Sequence, residues 1–361
     1  MKRGAALVTL VACAALVGAA PSPLVTGTPE PVAPTPASCT PQAFAPAGTR
    51  GPRAGTRGPA LMLAGAGLSD VPAGTLPWLR AHVRGPRDRH AGNVVILKAS
   101  GERYYSDDFY RAGNFAWVQE VLIPPCASPA QVDAIAPYVD DADVVLFAGG
   151  DQSHYVAWKN SALIRAVRRL YARGGIVGGG SAGLAIQGEA VYDSVAANRV
   201  LGDGSVTTPI AVRDPLGPAI SFTTGMFDWP PLRRTITDTH FVKRDRFGRL
   251  VVYLARMLHD GTVTPGPMYG LGVDEGSAVL VERDGTATVR IKGKDRGAYL
   301  IRLGRAARLL PGTPFRAGVD VAHVARDGER FDLLHKRTSE RWYTVTVEAT
   351  RTPPYDTDPY R

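Results

Sequence analysis

The chain has 361 residues, of which 45% are hydrophobic and 21% charged, and a formal net charge of +9 at pH 7. Its lysines and arginines are scattered and form no platform with aromatic residues, so we expect no nucleic-acid partner. An acidic substrate, or no specific partner for the charge, is favoured instead. From about Leu61 to Tyr343 the composition is globular. That length suits one large α/β domain, alone or with a β-rich extension.

Residues 1–20 have the pattern of a secretory signal peptide. Lys2 and Arg3 precede an apolar run from Ala5 to Leu16, and small residues follow at 18–20. The run is shorter than the roughly 20 apolar residues of a spanning helix, so we predict cleavage after Ala20, secretion and no membrane span. The alternative is a lipoprotein anchored through Cys13, which ends a Leu-Val-Ala-Cys box.

Residues 21–58 are dominated by Pro, Thr, Ala and Gly and are predicted to be an arm or linker. Cleavage of the signal peptide leaves two cysteines, Cys39 and Cys126. Because an exported protein meets an oxidising environment, we predict that they form a disulfide that ties the arm to the globular part. Two unpaired thiols are the alternative.

The first half of the globular part alternates between strand and helix patterns. Short apolar runs at 93–98, 118–123, 142–148 and 174–177 predict buried strands. Helical patterns lie between them at 129–138, with Ser128 as the N-cap, and at 161–171. This alternation predicts βαβ units and a parallel sheet, whose ligands bind at the carboxyl ends of the strands.

The pattern changes beyond residue 269. Short alternating runs at 277–282, 286–292 and 298–303 are separated by glycines and predict antiparallel strands. We place the catalytic α/β domain at 59–310 and a β-rich extension with a polar tail at 311–361.

A candidate nucleophile stands in the run Gly178-Gly179-Gly180-Ser181-Ala182-Gly183. An apolar strand, a glycine-packed turn, a serine and a helix-like run follow one another, which is the layout of a nucleophile elbow. The glycines permit a sharp turn, and the first helical amides then lie beside the serine to stabilise an oxyanion. A purely structural glycine turn is the alternative for this motif taken alone.

A serine nucleophile needs a base, and His240 is the histidine in the densest polar surroundings. It follows Asp238 and precedes Arg244, Arg246 and Arg249. A base of this kind needs a carboxylate that orients it. The alternative for this run is the solvated start of a basic helix.

Four motifs in one order resemble those of the cyanophycinases, serine peptidases in the family that also holds aspartyl dipeptidase. They are Gly-Gly-Asp-Gln at 149–152, the elbow, the Asp-x-His-Phe-x-x-Arg-x-Arg-x-Gly-Arg-Leu run at 238–250 and Gly-x-Gly-x-Asp-Glu at 270–275. The resemblance spans roughly Leu61 to Leu303. It implies a three-layer parallel sheet like that of the class I glutamine amidotransferases (flavodoxin-like), with serine in place of their cysteine.

The resemblance also implies an activity, the hydrolysis of aspartyl peptide bonds. Cyanophycinases release β-Asp-Arg dipeptides from cyanophycin, a polyaspartate that bears arginine on its side chains. Carried over residue by residue, the motifs imply these roles: Ser181 as nucleophile, His240 as base, Glu275 as orienting carboxylate, and Gln152, Asp238, Arg244, Arg246 and Arg249 in the substrate site. Guanidinium groups suit aspartyl carboxylates because they bind them in a bidentate fork.

Some assignments stay open. The amides of Ala182 and Gly150 are the expected oxyanion donors, Asp193 is an alternative third triad member, and Arg249 could instead brace its loop. Thr239 stands where the family is expected to have glutamine, which leaves the choice between cyanophycin and other acidic peptides open. No metal-ligand spacing, Walker loop or dinucleotide fingerprint is present, so we predict no cofactor. A non-catalytic binding protein for acidic peptides is the alternative function, and a homodimer is left open.

Overall fold

Two β-sheets and their covering helices account for the part of the chain that the structure describes. The structure is a computed structural model, and it describes residues 38–86, 88–262, 266–294, 296–304, 307 and 309–361. The predicted signal peptide, Cys13 and residues 21–37 of the predicted arm lie outside the described residues.

The strands and helices are numbered in chain order. The strands are β1 Gln42–Ala43, β2 Ala47–Gly48, β3 Ala60–Ala64, β4 Asn93–Lys98, β5 Trp117–Leu122, β6 Val144–Phe147, β7 Ile176–Gly180, β8 Ala190–Tyr192, β9 Phe222–Thr224, β10 Thr235–Asp238, β11 Met268–Val273, β12 Ser277–Val281, β13 Thr286–Ile291, β14 Ala298–Leu303, β15 Arg316–Val324, β16 Arg330–Asp332 and β17 Tyr343–Glu348. The α-helices are α1 Thr75–His82, α2 Ser106–Arg111, α3 Pro129–Asp133, α4 Ala136–Asp140, α5 Gln152–Val156, α6 Ala162–Ala172, α7 Ala182–Ala185, α8 Val195–Leu201, α9 Thr208–Arg213 and α10 Phe247–His259.

The first sheet has a parallel centre. Its strand order is β1-β5-β4-β6-β7-β3-β12-β13-β16, and β2 also pairs with β5. The five strands from β5 to β3 run parallel to one another, and four of them are the strands that the sequence predicts for a parallel sheet. The predicted α/β class with parallel strands is therefore confirmed, and the finer resemblance to the class I glutamine amidotransferases stays a prediction.

Both faces of the parallel strands are buried, which explains their unbroken apolar runs. Successive side chains point to opposite faces of a strand. Val95 accordingly packs in one cluster with Leu163 of α6, and Val94 packs in another with Leu79 of α1.

The sequence predicts only part of the second sheet, namely strand β14 and a β-rich extension after residue 310. Its order is β17-β15-β14-β11-β10-β8-β9, and β10 is parallel to both β11 and β8. Helix α10 packs on it through an apolar core that includes Leu250, Leu254 and Ile301. The alternative of a solvated helix start around His240 is wrong, because β10 is buried and the helix begins only at Phe247.

The two ends of the described chain add to these sheets. Cys39 and Cys126 form the predicted disulfide, with their Cα atoms 5.1 Å apart, and β1 pairs with β5 just beyond it. At the other end, β15 and β17 extend the second sheet. Within the described residues, no helix has the length and apolar character to cross a membrane.

The single helix predicted at 129–138 is two short helices. Ser128 caps the first, since its side chain accepts the Gln131 amide and its own amide is bound by the Gln131 side chain. Pro137 stands in the first turn of the second helix. A proline has no amide hydrogen to continue a helix, so the chain starts a new helix there instead.

Candidate active site

Ser181 stands on a sharp turn at the carboxyl end of a central parallel strand. Strand β7 ends at Gly180 and helix α7 begins at Ala182, and Ser181 between them has a φ of 52° and a ψ of −119°. Such a conformation is unfavourable for a residue with a side chain and occurs mainly where the surroundings enforce it. The surroundings of Ser181 are packed tightly enough to enforce it, since a Cβ added at Gly183 would lie 2.0 Å from the Phe147 carbonyl oxygen.

The structure brings Ser181, His240 and Glu275 into one hydrogen-bonded row. Ser181 Oγ lies 2.8 Å from His240 Nε2, and His240 Nδ1 lies 2.5 Å from Glu275 Oε1. The carboxylate can only accept at Nδ1, so that nitrogen carries the proton and Nε2 is left to accept from the serine hydroxyl. This is the arrangement in which a serine is activated by a neutral imidazole.

Strands of both sheets end where this row lies. His240 follows β10, and its amide donates to the Gly65 carbonyl oxygen, which follows β3, at 2.9 Å. Glu275 stands in the short connection from β11 of the second sheet to β12 of the first. Glycine is required at 65, because a Cβ there would lie 1.8 Å from the Asp274 carbonyl oxygen.

Asp274 holds the chain that follows the histidine. Its Oδ1 accepts the amides of Val242 at 2.9 Å and Lys243 at 3.1 Å, and the residue is buried. Asp274 belongs to the Gly-x-Gly-x-Asp-Glu motif, but the sequence did not predict this role for it. Its position directly before Glu275 is the one sequence feature that could have indicated a role in the site.

Asp193, the alternative third member, belongs to a different network. Its carboxylate accepts hydrogen bonds from Ser221 Oγ at 2.5 Å, Thr223 Oγ1 at 2.9 Å and the Val195 amide at 3.0 Å. Within the described part of the chain it makes no hydrogen bond with His240. The geometry thus favours Glu275 as the orienting carboxylate.

The surroundings of His240 favour the neutral ring. Burial lowers the pKa of His240 below its usual 6.5, and the positive charges of Arg244 and Arg246 act in the same direction. The hydrogen bond that His240 donates to Glu275 opposes them without reversing the shift. A ring held neutral at neutral pH is ready to accept a proton.

The amides of Ala182 and Gly150 are the oxyanion donors that the sequence predicts. Ala182 is the first residue of α7, so its N–H has no partner within the helix. Gly150 follows β6 with a φ of 140°, and its neighbour Gly149 is so close that an added Cβ would lie 3.5 Å from Ser181 Cβ. Ala182 thus follows the serine directly in the chain, and Gly150 is next to Gly149, which approaches the serine in the fold.

A polar cleft of about 190 Å³ opens beside Gly150. It holds four of the five residues that the sequence predicts for the substrate site. Its lining residues are Gly150, Asp151, Gln152, Asp203, Gly204, Ser205, Arg244, Arg246 and Arg249. The cleft thus combines positive charge with a location next to the candidate nucleophile.

The three arginines have different surroundings. Arg244 is exposed, and its guanidinium makes no hydrogen bond or ion pair with other described residues. Arg246 is mostly buried and donates to the carbonyl and hydroxyl oxygens of Thr239, both at 3.0 Å. Burial, aided by the charge of Arg249, lowers the pKa of Arg246 to about 10.

Arg249 and Asp238 form a buried ion pair at the base of the cleft. Arg249 Nε and Nη2 donate to the two carboxylate oxygens of Asp238, at 2.8 and 2.5 Å. Burial alone would raise the pKa of Asp238, but Arg249 and Arg246 outweigh it and lower that pKa. The structure therefore favours the bracing role that the sequence left open for Arg249, and it gives Asp238 the role of holding arginines.

No group of three or more His, Cys, Asp or Glu side chains in the described residues is arranged to hold a metal ion.

Comparison with known proteins adds little to this geometry. No protein-family model matches the chain, and no curated protein matches it. One solved structure that it resembles is a peptidase from an acI-B1 Actinobacterium, with 16% sequence identity and a TM-score of 0.46. That match covers 78% of this chain and 98% of the other.

Proposed function

We propose that this chain is a serine-type peptidase of the cyanophycinase type, which hydrolyses aspartyl peptide bonds. The observation that carries the proposal is the row of Ser181, His240 and Glu275, joined at 2.8 and 2.5 Å. Ser181 stands at the tip of a strained turn, as a nucleophile elbow requires. The four ordered sequence motifs meet at this same end of the two sheets.

In the proposed reaction Ser181 Oγ attacks the scissile carbonyl carbon while His240 Nε2 accepts its proton. Glu275 keeps the ring in the required tautomer and stabilises the imidazolium. The carbonyl oxygen becomes an oxyanion and accepts hydrogen bonds from the Ala182 and Gly150 amides. His240 then gives its proton to the leaving amine, and a water molecule hydrolyses the acyl-enzyme by the same steps.

The arginines of the cleft support an anionic substrate. Arg244 has no ion-pair partner among the described residues, so its guanidinium is available to bind a carboxylate in a bidentate fork. Arg246 and Gln152 lie beside it in the same cleft. We propose that these groups bind a free carboxylate of the substrate near the scissile bond. In a simple aspartyl peptide this is the side-chain carboxylate, and in cyanophycin, whose aspartyl side chains are amide-linked to arginine, it is the carboxylate of that arginine.

We further propose that the protein acts outside the cell. The disulfide between Cys39 and Cys126 is consistent with an oxidising compartment. An exported enzyme of this kind would degrade cyanophycin released by other cells.

Incubation of the chain with insoluble cyanophycin, followed by mass analysis of the products, tests the proposal. Release of β-Asp-Arg dipeptides by the wild type, and not by Ser181→Ala, is the expected result. A comparison of aspartyl with asparaginyl peptides then tests the role of the arginines. Equal cleavage of the two would end the claim that the cleft binds a free aspartyl side-chain carboxylate.

Two other outcomes would replace the proposal. Cleavage of acidic peptides without cleavage of cyanophycin would make the chain a peptidase for other acidic substrates. Binding of acidic peptides by a wild type that cleaves none of them, and whose Ser181 resists serine-directed reagents, would make it a binding protein.

A further inference from the structure

The end of the chain lies on the turn that carries the candidate base and the cleft arginines. The hydroxyls of Tyr355 and Tyr360 both donate to Asp245 Oδ1, at 2.6 and 2.8 Å. Both tyrosines belong to the predicted polar tail, for which the sequence indicates no role. In the structure they are partly buried against the segment that follows His240.

The same two hydroxyls also accept hydrogen bonds from that segment. The Phe247 amide donates to Tyr360 OH at 3.1 Å, and the Gly248 amide donates to Tyr355 OH at 3.3 Å. These amides belong to the first turn of α10, where a helix has no internal acceptors for them. Each tyrosine therefore joins Asp245 to the start of the helix.

Ring contacts add to this arrangement. Tyr360 packs edge-to-face against Phe241, with ring centroids 5.9 Å apart, and Tyr355 packs edge-to-face against Phe247 at 5.7 Å. Phe241 is the residue directly after the candidate base. The tail thus contacts both ends of the turn from His240 to Phe247.

Asp245 is the central residue of this turn. It lies between Arg244 and Arg246 and has a φ of 44°, a conformation that costs energy for a residue with a side chain. The turn also carries internal hydrogen bonds, from the Arg244 amide to the His240 carbonyl at 3.0 Å and from the Arg246 amide to the Phe241 carbonyl at 2.9 Å. A movement of Asp245 would therefore displace the base and both arginines together.

The tyrosines remain donors over the whole working pH range. Burial raises the pKa of Tyr360 and of Tyr355 far above the usual 10, and the negative charge of Asp245 adds to both shifts. A hydrogen bond from a neutral hydroxyl to a carboxylate is among the stronger ones in proteins.

We propose that Tyr355 and Tyr360 are positioning residues of the active site, which act through Asp245 to hold His240, Arg244 and Arg246 in their working geometry. This inference rests on the proposed function. It makes the segment from Thr352 to Tyr360 part of the catalytic unit.

The test uses the full chain with Tyr355→Phe and Tyr360→Phe, singly and together. A fluorophosphonate, which bonds to the serine oxygen with loss of fluoride, reports the reactivity of Ser181 without any assumption about the substrate. We expect labelling of the double variant to be about tenfold slower than that of the wild type. Its preference for aspartyl over asparaginyl peptides should fall as well, a change that lower overall stability alone would not produce.

Tyr343→Phe is the matched control. It removes a hydroxyl that donates to the Pro359 carbonyl of the same tail at 2.9 Å, and Tyr343 makes no hydrogen bond with Asp245 among the described residues. We expect wild-type labelling and substrate preference from it. The same loss in Tyr343→Phe as in Tyr355→Phe would assign the effect to general loosening of the tail and overturn the proposal.

A double-mutant cycle with Asp245→Asn tests the pathway. If the hydroxyls act through the carboxylate, the effects of Tyr355→Phe and Asp245→Asn on labelling will not add. Simple additivity, or unchanged labelling in the tyrosine double variant, would overturn the proposal while the proposed function stands. Failure of the wild type to react with reagent or peptide would instead overturn the proposed function. In that case, faster amide exchange at residues 241–248 in the tyrosine variants would still show that the tail stabilises the turn.

Discussion

The two halves of the candidate site are held by different kinds of force. The nucleophile half, around Ser181, is held by backbone packing: a Cβ at Gly178 would lie 1.9 Å from the Met62 carbonyl oxygen. The base half, around His240, is held by side chains, among them Asp274, Asp238 and the two tail tyrosines. The first half excludes added atoms, and the second depends on charge and hydrogen bonding.

This difference separates the effects that substitutions will have. Apart from loss of the serine itself, changes in the nucleophile half should act through steric fit and should be insensitive to pH. Changes in the base half should act through electrostatics and should change the pH profile or the substrate preference. The following predictions test that division, from the largest effect to the smallest.

Ser181→Ala should remove activity and leave the fold intact. Loss of the serine in a serine–histidine–carboxylate triad costs on the order of 10⁶ in turnover. Turnover with the best substrate and a thermal melt together provide the measurement. Near-wild-type activity in a folded Ser181→Ala protein would refute the nucleophile assignment.

Glu275→Gln should be the next most severe change. The amide can present its NH₂ group to Nδ1 and so favour the wrong tautomer of His240, and a loss on the order of 10³–10⁴ in kcat is expected. Asp193→Asn is the matched control, because it replaces a buried carboxylate that is hydrogen-bonded away from His240. A severe loss in Asp193→Asn with full activity in Glu275→Gln would reverse the choice of third residue.

Gly178→Ala should destabilise the protein by about 3 kcal/mol or more, because the added carbon meets backbone atoms that cannot move aside. Gly318→Ala is a control in another strand, where an added Cβ has no atom within 4 Å. The control should change the free energy of unfolding by less than about 0.5 kcal/mol. Denaturant melts of both variants measure the difference, and equal melts would show that close packing does not hold the elbow.

The same division explains how far the sequence could predict the structure. The elbow is a local pattern of strand, glycines and serine, so its position and its neighbours in the parallel sheet could be predicted. The base half joins residues far apart in the chain. Ser181 and His240 are 59 positions apart, and Tyr360 lies 115 positions after Asp245.

The three arginines after His240 show most clearly what the sequence could not predict. Composition and spacing make Arg244, Arg246 and Arg249 look equivalent. The family resemblance implies that all three lie in the substrate site, and the sequence left open whether Arg249 instead braces its loop. Only the fold shows that Arg249 lies on the buried side of α10, against Asp238 and the Val206 carbonyl. No local pattern predicts the partner, because the burial depends on how the second sheet packs.

Arg244→Lys and Arg249→Lys should therefore differ. Lysine cannot form a bidentate pair, so Arg244→Lys should lower kcat/KM for an aspartyl substrate about tenfold with unchanged stability. Arg249→Lys should chiefly destabilise the fold, by about 2 kcal/mol, since lysine keeps the charge but loses the bidentate hydrogen bonds to the buried Asp238 carboxylate. Kinetics with aspartyl and asparaginyl peptides measure the effect of each variant on substrate binding, and denaturant melts measure its effect on stability. A stable Arg249→Lys with lost aspartyl preference would place Arg249 in the substrate site.

The smallest expected effect is on the pH profile. The base must be neutral to accept the serine proton, and burial together with Arg244 and Arg246 lowers the pKa of His240. Activity should therefore rise with pH along a limb whose midpoint in kcat/KM lies below 6.5. Arg244→Gln removes one of the charges that oppose protonation, so the pKa of His240 rises and the limb moves toward higher pH. The shift should be smaller than about one unit because Arg244 is exposed and its charge is screened.

The same pH profile should appear in fluorophosphonate labelling, which separates the ionisation of His240 from that of the substrate. A limb that moves to lower pH in Arg244→Gln, or a wild-type midpoint well above 6.5, would show that the base half is not governed by these charges.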